Sequence, residues 1–378
     1  MEIVVIGCRG FPEVSGGIEK HCEELYSRIA GRTSCQILVL TIAKYQKYNS
    51  WKGIRFKNIL TIGTSYVEKV LYGLLSTLYV CWKRPDIVHY QGLNCAIFIP
   101  LAKCFGLKVI YTQHSRDYLY PKWGKVAKKI LKLAEKNAMQ ADIVVAVSKT
   151  IAASLEREYS QNNIRFIANG VNFDSFAVGS GLDEEFFTRY GLNRKKFILF
   201  VGRITPEKGI EILLKAYELS KIDHKLVIVG EFNKDDTYAN KILKECAGSE
   251  NIVITGSLYR DDLFALYVHC GLFVLPSFFE GLPIVLLEAI SCGCQILASD
   301  ISANKELDIG SEYYFPKGNV AILSQKLKVF SGKPLASGEH ERRLAKLKDS
   351  YDWNMISEKI IDSYTSLNYA DNGGFNVQ

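Results

Sequence analysis

Two glutamates in one segment give the densest chemical signal in the sequence. Glu280 and Glu288 stand eight positions apart within Pro-Ser-Phe-Phe-Glu-Gly-Leu-Pro-Ile-Val-Leu-Leu-Glu-Ala. Glu280 follows an apolar run, and Pro283 suits the first turn of a helix. Glu288 has apolar neighbours on both sides, where a lone carboxylate is costly to bury without a polar partner. The diol of a bound ribose would be such a partner, although two glutamates at this spacing are also common by chance.

Two further turns contain the residue types that bind anions. Gly16 and Gly17 lead into Ile18–Ile29, whose apolar positions repeat with helical period. Paired glycines let backbone N–H groups approach an anion at a helix N terminus, but a turn that merely needs positive φ explains them as well. Arg203 and Lys208 follow another apolar run. Two cations fixed there would suit a diphosphate, and the alternative is a solvated surface pair.

Several well-known site patterns are absent from the sequence. No G-x-G-x-x-G follows the first apolar run and no G-x-x-x-x-G-K-[ST] occurs, so the dinucleotide and Walker A fingerprints are both missing. The ten cysteines include no C-x-x-C pair, and Cys292 and Cys294 are too close together for half of a zinc site. We therefore predict no metal and no cofactor. Cysteines within apolar runs, such as Cys35 and Cys95, are expected to be reduced core residues of a cytosolic protein.

The elements that must position these residues are short β-branched runs, each followed by a segment of helical period. In the first half of the chain we predict strands at Ile3–Ile6, Ile37–Leu40, Ile87–Tyr90, Val109–Thr112, Ile143–Val147 and Arg165–Ala168. In the second half we predict strands at Phe197–Val201, Leu226–Val229, Ile252–Thr255, Leu272–Leu275 and Gln295–Ala298. Apolar strands that alternate with helices are typical of a parallel sheet covered on both faces. Two such series in tandem predict an α/β protein with two Rossmann-like, doubly wound domains.

The predicted domain boundary lies in a polar, glycine-containing stretch. We expect a first domain at residues 1–178 and a second at 179–351, with Gly179-Ser180-Gly181 at the boundary. A final helix at 352–366 is expected to pack back on the first domain. In doubly wound sheets ligands bind outside the carboxyl ends of the strands, and two such domains form a cleft between those ends. The glutamates and the basic turn follow predicted strands, which places them at the ligand-binding end.

The formal net charge of +7 is unevenly distributed along the chain. Lys and Arg outnumber Asp and Glu within residues 1–180, whereas the remainder has a small acidic excess. No nucleic-acid-binding module matches the sequence, and the lysines are not interleaved with stacking aromatics, so we predict no nucleic-acid partner. Anionic lipid head groups or a phosphorylated ligand would suit the basic half.

One segment of the basic half, residues 122–136, predicts a basic amphipathic helix. Its apolar stripe contains Val126, Ile130, Leu133 and Ala134, and the lysines proposed to meet a membrane or an acceptor are Lys125, Lys128, Lys129 and Lys132. Each lysine near an anionic surface contributes up to about 1 kcal/mol. The alternative is a solvated face of a domain helix. The uncharged run Val70–Trp82 is shorter than the about 18 residues that span a bilayer. With a chain that starts on a strand and has no signal peptide, we expect a cytoplasmic protein attached peripherally to the inner face of the plasma membrane.

Taken together, these residues resemble a known family. Gly16 with Gly17, Arg203 with Lys208, and the pair of glutamates eight positions apart are similar to the pattern of retaining glycosyltransferases of the GT-B fold, family 4. The opening segment from Gly7 to Tyr26 resembles a bacterial subgroup that acts in capsule, O-antigen and exopolysaccharide synthesis. The resemblance covers nearly the whole chain. It implies the fold and the reaction type but identifies neither sugar.

The resemblance also implies a role for each matching residue. Gly16 and Gly17 would approach the diphosphate of the donor, and the cations of the second basic turn, Arg203 and Lys208, would neutralise its charge. Glu280 would hold hydroxyls of the transferred sugar. The ribose diol would bind Glu288, and the turn Gly281, Leu282, Pro283 with the helix start behind it would add backbone donors around the sugar and phosphate. His114 matches a family histidine near the reacting sugar, and Ser115 after it stands where close relatives often have glycine.

The resemblance therefore implies a retaining transfer from a nucleotide-sugar donor. A UDP-sugar is the first expectation, with GDP- and dTDP-sugars as alternatives, and the expected acceptor is a lipid-diphosphate-linked glycan. The chain has no D-x-D, so the metal–diphosphate site of the other major glycosyltransferase fold has no candidate residues. His114 or Asp117 remains as a base if the reaction inverts. Two competing functions are a nucleotide-sugar epimerase of the same fold and a non-catalytic scaffold of a polysaccharide assembly complex.

Overall fold

The computed structural model describes residues 1–14, 16–62, 65–120, 123–173, 184–232, 236–258 and 260–369. The chain divides into two compact units. The first unit contains Met1–Gly170 together with the C-terminal segment from Trp353, and the second contains Val171–Asp352. The boundary predicted at 178/179 lies outside the described residues.

The described part of the first unit is built on an eight-stranded sheet. Its strands are β1 (Glu2–Ile6), β2 (Gln36–Ile42), β3 (Ser50–Trp51), β4 (Ile54–Ile59), β5 (Ile87–Gln91), β6 (Val109–Gln113), β7 (Ile143–Ala146) and β8 (Ile164–Phe166). They lie in the order β3-β4-β2-β1-β5-β6-β7-β8, and all neighbours are parallel except β3 and β4. The helices are α1 (Gly17–Arg32), α2 (Ser65–Lys83), α3 (Leu93–Ala96), α4 (Ile99–Cys104), α5 (Lys125–Ala138) and α6 (Lys149–Tyr159).

The described part of the second unit is built on a six-stranded parallel sheet. Its strands are β9 (Phe197–Val201), β10 (Lys225–Val229), β11 (Ile252–Gly256), β12 (Leu272–Leu275), β13 (Ile296–Ser299) and β14 (Tyr314–Phe315), in the order β11-β10-β9-β12-β13-β14. The helices are α7 (Glu184–Tyr190), α8 (Ile210–Ser220), α9 (Thr237–Cys246), α10 (Arg260–His269), α11 (Ile284–Ser291), α12 (Ser302–Lys305), α13 (Val320–Phe330) and α14 (Glu339–Tyr351).

The last helix, α15 (Trp353–Tyr369), belongs to the first unit, where it packs against α1. The Arg32 guanidinium at the end of α1 donates to the side-chain oxygen of Asn354 at 2.6 Å and to its backbone carbonyl at 3.1 Å. The indole of Trp353 lies so close to Gly170 that a Cβ there would come within 2.5 Å of it. The chain therefore returns to the first unit through a tightly packed contact.

The two doubly wound sheets confirm the predicted fold class, because all eleven predicted strands are present. Their cores are apolar on both faces, as in β1, where Ile3 to Ile6 are fully buried. Three strands, β3, β4 and β14, were not predicted from the sequence. β4 is buried only at its two ends, Ile54 and Ile59, and includes the exposed Arg55 and Lys57, so it lacks the continuous apolar run that marks a buried strand.

The cysteines follow the prediction only in part. Cys95 is buried in α3, as expected for a core residue. Cys35 is only partly buried, because it lies in the turn before β2 rather than in the strand itself. All ten cysteines are free thiols.

Candidate functional site

The loop after β12 brings two predicted site residues into contact. The Lys208 ammonium lies 2.6 Å from the Oε1 atom of Glu280, and both side chains are mostly buried. The Ser277 hydroxyl donates to the same carboxylate oxygen at 2.7 Å. A charge-assisted hydrogen bond with little exposure is among the stronger polar contacts in a protein. The cation and the carboxylate that the sequence suggested separately thus form one group.

A glycine allows this contact to form. Lys208 ends a short 3-10 turn, Pro206–Lys208, and Gly209 follows with φ of +69°. A Cβ at Gly209 would lie 2.2 Å from the backbone oxygen of Pro276, so only glycine fits between this turn and the loop after β12. The Phe278 N–H donates to the Glu207 carbonyl at 2.8 Å. Because β9 and β12 are neighbours in the sheet, the loops after them meet here.

Buried hydroxyl and amide groups support the Glu280 loop from behind. The Ser299 hydroxyl at the end of β13 donates to the Ser277 carbonyl at 2.5 Å. The Asn304 amide donates to the carbonyl and hydroxyl oxygens of Ser299 at 2.9 and 3.0 Å. No role for Ser277 or Asn304 was predicted from the sequence. The one available signal was the position of Ser277 and Ser299 directly after apolar strands.

Glu288 has a partner within the protein. It lies on α11, and the hydroxyl of Tyr267 on α10 donates to its Oε2 atom at 3.1 Å. Burial, and after it the Glu288 carboxylate, raises the pKa of Tyr267 well above its usual range, so the phenol stays protonated and remains a donor. The polar partner expected from the apolar surroundings is thus partly supplied by a tyrosine 21 positions away.

The remaining predicted donor-binding residues of the second unit lie in turns. Arg203 is exposed just after β9 and makes no ion pair within the described part of the chain. The turn Gly281-Leu282-Pro283 leads directly into α11, whose N-terminal residue is capped by no side chain. A helix start of this kind presents backbone N–H groups and a partial positive charge.

Gly16 and Gly17 stand at the start of α1 but differ in their surroundings. Gly16 has φ of +145°, and a Cβ there would lie 2.0 Å from a carboxylate oxygen of Glu19. A Cβ at Gly17 would meet open space. The Glu19 carboxylate, 6% exposed, accepts from the Arg9 backbone N–H at 3.3 Å and from the Arg9 guanidinium at 2.8 Å. An acidic side chain of the protein therefore already lies beside this helix start, which was not predicted from the sequence.

His114 follows β6 in the first unit and lies among other imidazoles. Its Nε2 atom is 2.8 Å from the Gln91 side-chain oxygen, and its ring packs edge-on against His21, with 4.7 Å between centroids. Burial, followed by the neighbouring His21 and His89, holds the pKa of His114 well below its usual range. Burial also lowers the pKa of His21 to about 4. His114 is therefore neutral near pH 7.

A buried carboxylate holds the loop that carries His114. Glu135 on α5 is fully buried and accepts from Gln113 at 3.1 Å and from the Arg116 guanidinium at 2.6 and 3.0 Å. Ser115 donates its hydroxyl to Asp117 in the same loop. Asp117, the alternative base, is thus engaged by a neighbouring side chain.

The helix predicted at residues 122–136 is α5, and the face that it packs against the first unit is not the predicted apolar stripe. Leu131, Ala134 and Ala138 are buried on α5. Of the predicted apolar stripe only Ala134 points inward, and the large members Val126, Ile130 and Leu133 are 72%, 49% and 50% exposed. Lys125, Lys129 and Lys132 are exposed beside them and Lys128 is partly buried, whereas Lys122 lies outside the described residues.

The exposed apolar side chains are concentrated in the first unit. Fourteen of the sixteen large apolar side chains exposed among the described residues lie there. On α2 the exposed positions with described side chains are all apolar, namely Val67, Val70, Leu75, Leu78 and Trp82. None of the helices within the described ranges is long and apolar enough to cross a bilayer. The described residues also contain no cluster of three His, Cys, Asp or Glu side chains that would hold a metal.

Comparison with known proteins defines the class. The family model "Glycosyl transferases group 1" matches residues 183–346, and "Glycosyltransferase Family 4" matches residues 15–175. The chain superposes on sucrose-phosphate synthase from Thermosynechococcus elongatus with a TM-score of 0.77 at 18% identity, over 98% of this chain and 99% of that one. It superposes on Anabaena HepE in complex with UDP-glucose with a TM-score of 0.76 at 15% identity, over 97% and 100%. The fold is the GT-B fold.

Curated relatives agree with this class. An uncharacterised glycosyltransferase of Methanocaldococcus jannaschii is 22% identical over 96% of this chain and 98% of its own length. A Bacillus subtilis protein named for teichuronic acid biosynthesis is 26% identical over 73% and 67%. A Campylobacter jejuni N-acetylgalactosaminyltransferase, named for an acceptor on diphospho-undecaprenol, is 29% identical over 43% and 42%. The chain belongs to the family 4 type of GT-B glycosyltransferases, and some of its relatives are named for polysaccharide biosynthesis. The epimerase alternative has no support among them.

Proposed function

We propose that this glycosyltransferase moves a sugar from a nucleotide-sugar donor to a lipid-diphosphate-linked glycan during synthesis of a bacterial surface polysaccharide. The transfer would retain the anomeric configuration, need no metal ion and take place at an anionic membrane surface. The observation that carries the proposal is the 2.6 Å contact between Lys208 and Glu280. It puts a group suited to phosphate beside a group suited to sugar hydroxyls, at the end of a parallel sheet where ligands bind.

The donor is proposed to be a UDP-sugar, with GDP- and dTDP-sugars as alternatives. HepE, which has the same fold, was solved with UDP-glucose, and this supports a nucleotide sugar. The Glu288 carboxylate would bind the ribose diol, and its bond from Tyr267 would hold it in place. Gly17, where a side chain would meet open space, would allow the diphosphate to approach the start of α1.

The proposed chemistry breaks one bond and forms one on the same face of the sugar. The bond from the anomeric carbon to the leaving phosphate oxygen breaks, and the acceptor hydroxyl oxygen bonds to that carbon. The acceptor's proton passes to the leaving phosphate oxygen. Lys208, Arg203 and the backbone N–H groups at the start of α11 would stabilise the charge that develops on the leaving diphosphate. Glu280 and the neutral imidazole of His114 would hold hydroxyls of the transferred sugar.

The acceptor and the membrane surface are proposed from the first unit. The Campylobacter relative is named for a diphospho-undecaprenol acceptor, which supports a lipid-linked glycan. On α5 exposed lysines stand beside exposed Val126, Ile130 and Leu133, which suits an interface of anionic head groups and acyl chains. The apolar face of α2 would add to this contact.

The decisive experiment measures nucleotide binding and sugar transfer with the purified chain. A panel of nucleotide sugars is screened by thermal shift, since a ligand at 100 times its Kd stabilises the fold by about 2.7 kcal/mol. The matching ribo- and 2′-deoxyribonucleoside diphosphates are then compared in wild type and Glu288→Ala. We expect wild type to prefer the ribonucleotide and the variant to lose that preference. Equal binding of both nucleotides by wild type would contradict the role of Glu288.

Transfer is then assayed with the donor so identified and a lipid-diphosphate glycan. We expect turnover that persists after chelation with EDTA. Activity abolished by EDTA and restored by Mn²⁺ would contradict metal independence. Donor binding with neither transfer nor donor hydrolysis would favour the non-catalytic scaffold instead.

A further inference from the structure

A buried chain of hydrogen bonds lies behind His114 and consists of residues that the proposed transfer does not use. Gln91, at the end of β5, receives the His114 contact on its side-chain oxygen at 2.8 Å. Its amide nitrogen is 2.7 Å from the Tyr26 hydroxyl and 3.2 Å from the Nε2 atom of His89. The Nδ1 atom of His89 is 2.7 Å from the hydroxyl of Tyr364 on α15. The chain thus runs from His114 to the C-terminal helix.

All of the supporting side chains are buried, so each polar atom needs a partner. Gln91 is 1% exposed, and Tyr26, His89 and Tyr364 are 0% exposed. A buried donor or acceptor left without a partner loses its hydrogen bonds to water with nothing in exchange, which destabilises the fold. Which group donates and which accepts at one contact therefore determines the same choice at the next contact of this hydrogen-bond network.

One set of directions satisfies the whole chain. The Gln91 amide group donates to Tyr26 and toward the Nε2 atom of His89, which also has the Thr112 hydroxyl at 2.8 Å. His89 therefore carries its proton on Nδ1, where the hydroxyls of Tyr364 and Tyr26 lie at 2.7 and 3.0 Å. The Gln91 oxygen is left as the acceptor, so the Nε2 atom of His114 must donate. A neutral imidazole has a single N–H, which leaves the Nδ1 atom of His114 as an acceptor.

We propose that Gln91 is a positioning residue that holds His114 as the Nε2–H tautomer, backed by His89 and by Tyr364 on α15. The Nδ1 atom of His114 is thereby kept as a hydrogen-bond acceptor for a substrate hydroxyl. This role rests on the proposed function of His114 in transfer. In this proposal α15 also supports the site, because the hydrogen-bond network that begins at His114 ends at the hydroxyl of Tyr364.

The tautomer is measured directly by long-range ¹H–¹⁵N correlation on protein labelled with ¹⁵N-histidine. The chain has six histidines, and the His114 signals are those lost in His114→Asn. In wild type at pH 7 we expect a protonated Nε2 and an unprotonated Nδ1 at His114. Gln91→Met removes the acceptor oxygen at similar volume, and we expect part of the His114 population to move its proton to Nδ1. A wild-type Nδ1–H tautomer, or an unchanged tautomer in Gln91→Met, would overturn the proposal.

Two further variants keep the test informative. Gln46→Met is the matched control, because Gln46 is also a buried amide of the first unit but donates to the Phe11 carbonyl at 2.7 Å. We expect it to leave the His114 signals in place. Gln91→Glu keeps an acceptor oxygen, so His114 should stay protonated at Nε2. If Gln91→Met does not fold, a protonated Nδ1 together with an unprotonated Nε2 in Gln91→Glu overturns the proposal.

The tautomer measurement needs no substrate, which separates it from the transfer assay. Where transfer is observed, we expect Gln91→Met to lower kcat by about tenfold and Gln91→Glu to recover part of that loss. If no sugar is transferred by wild type, the proposed function fails while the tautomer result stands. If transfer occurs and Gln91→Met shifts the tautomer without a change in kcat, the positioning role in catalysis is refuted.

Discussion

At the scale of single residues, the pairing of Lys208 with Glu280 changes what a substitution at either one means. Lys208 neutralises Glu280 in the free protein, so its charge is already partly used before any diphosphate arrives. A bound diphosphate would share the ammonium group with the carboxylate. The pair therefore keeps Lys208 in a fixed position, and it also stops Glu280 from repelling an anionic ligand.

We predict that Lys208→Ala weakens nucleoside diphosphate binding and also destabilises the fold. Removing the ammonium leaves Glu280, whose side chain is 9% exposed, with only Ser277 as its described partner, at a cost of about 1–3 kcal/mol. Calorimetric titration with UDP and GDP, together with denaturant unfolding, measures both effects. Lys241→Ala is the control, because Lys241 pairs with Glu211 on the exposed surface of the same unit. Wild-type nucleotide affinity in Lys208→Ala would contradict the assignment.

The two glycines at the start of α1 should respond differently to the same substitution. Gly16→Ala places a Cβ 2.0 Å from the Glu19 carboxylate at a φ of +145°, so we expect a loss of about 1–3 kcal/mol in the free energy of unfolding. Gly17→Ala meets open space and should keep wild-type stability. If the diphosphate approaches there, Gly17→Ala weakens donor binding. Thermal unfolding and nucleotide titration of both variants check this, and unchanged donor affinity in Gly17→Ala would leave Gly17 without a ligand role.

The sequence could name the site residues but not the contacts between them. Glu280 and Lys208 could be proposed because each follows a strand in a fold whose ligand-binding end is known from its topology. His114 was proposed from the family resemblance. The contacts of Lys208 with Glu280 and of Gln91 with His114 depend on which strands are neighbours in the sheet. β9 pairs with β12 across 70 and more residues of sequence, and no local pattern encodes that pairing.

At the scale of elements, α5 shows why an amphipathic pattern leaves its direction open. The periodicity of Val126, Ile130 and Leu133 marks an apolar stripe, and such a stripe usually faces the core. Here the core side is formed by Leu131, Ala134 and Ala138 together with Glu135, whose carboxylate accepts five hydrogen bonds from four side chains. A sequence pattern records that a helix has two faces, and tertiary contacts decide which one is buried.

We predict that the exposed faces of α5 and α2 bind anionic liposomes by two separable contributions. Replacing Lys125, Lys128, Lys129 and Lys132 by Gln should remove the salt-sensitive part, since the Debye length falls from about 10 Å at 0.1 M to about 3 Å at 1 M. Leu78→Gln with Trp82→Gln should weaken the binding that remains at high salt, because both side chains are exposed and apolar. Cosedimentation with vesicles over a salt series measures both.

Surface changes in the second unit provide the control for this experiment. Leu219 and Val329 are exposed apolar residues there, 54% and 59% exposed, and their change to Gln should leave liposome binding as in wild type. Equal binding by the four-lysine variant and wild type would show that the charged face of α5 is only a solvated surface. Loss of binding in the Leu219 and Val329 variant would show that the assay reports overall hydrophobicity.

At the scale of the whole molecule, the two units divide the proposed work by their chemistry. The second unit holds the Lys208–Glu280 pair and Glu288 with Tyr267, which suit a sugar nucleotide. The first unit holds His114 and nearly all of the exposed apolar side chains, which suit an acceptor carried on a lipid. The net positive charge of the first half of the chain also suits this acceptor, because both the lipid diphosphate and the membrane surface are anionic.

The stereochemistry of the product depends on which group takes the acceptor's proton. Inversion needs a base that takes the acceptor's proton on the face opposite the leaving group. His114 is poorly suited, because burial and its imidazole neighbours hold its pKa well below the usual value, so it binds a proton weakly. Asp117 accepts the Ser115 hydroxyl and is already engaged. The leaving diphosphate, by contrast, gains basicity as its bond to the sugar breaks.

We therefore predict that the new glycosidic bond keeps the anomeric configuration of the donor, so that a nucleotide-α-sugar gives an α-linked product. The anomeric proton coupling of the isolated product, measured by NMR, reports the configuration directly. Asp117→Asn should slow transfer only mildly if the diphosphate takes the proton, and a base at this position would make the same change lower kcat by about 10²–10⁴-fold. A β-linked product together with so large a loss would identify Asp117 as the base of an inverting reaction.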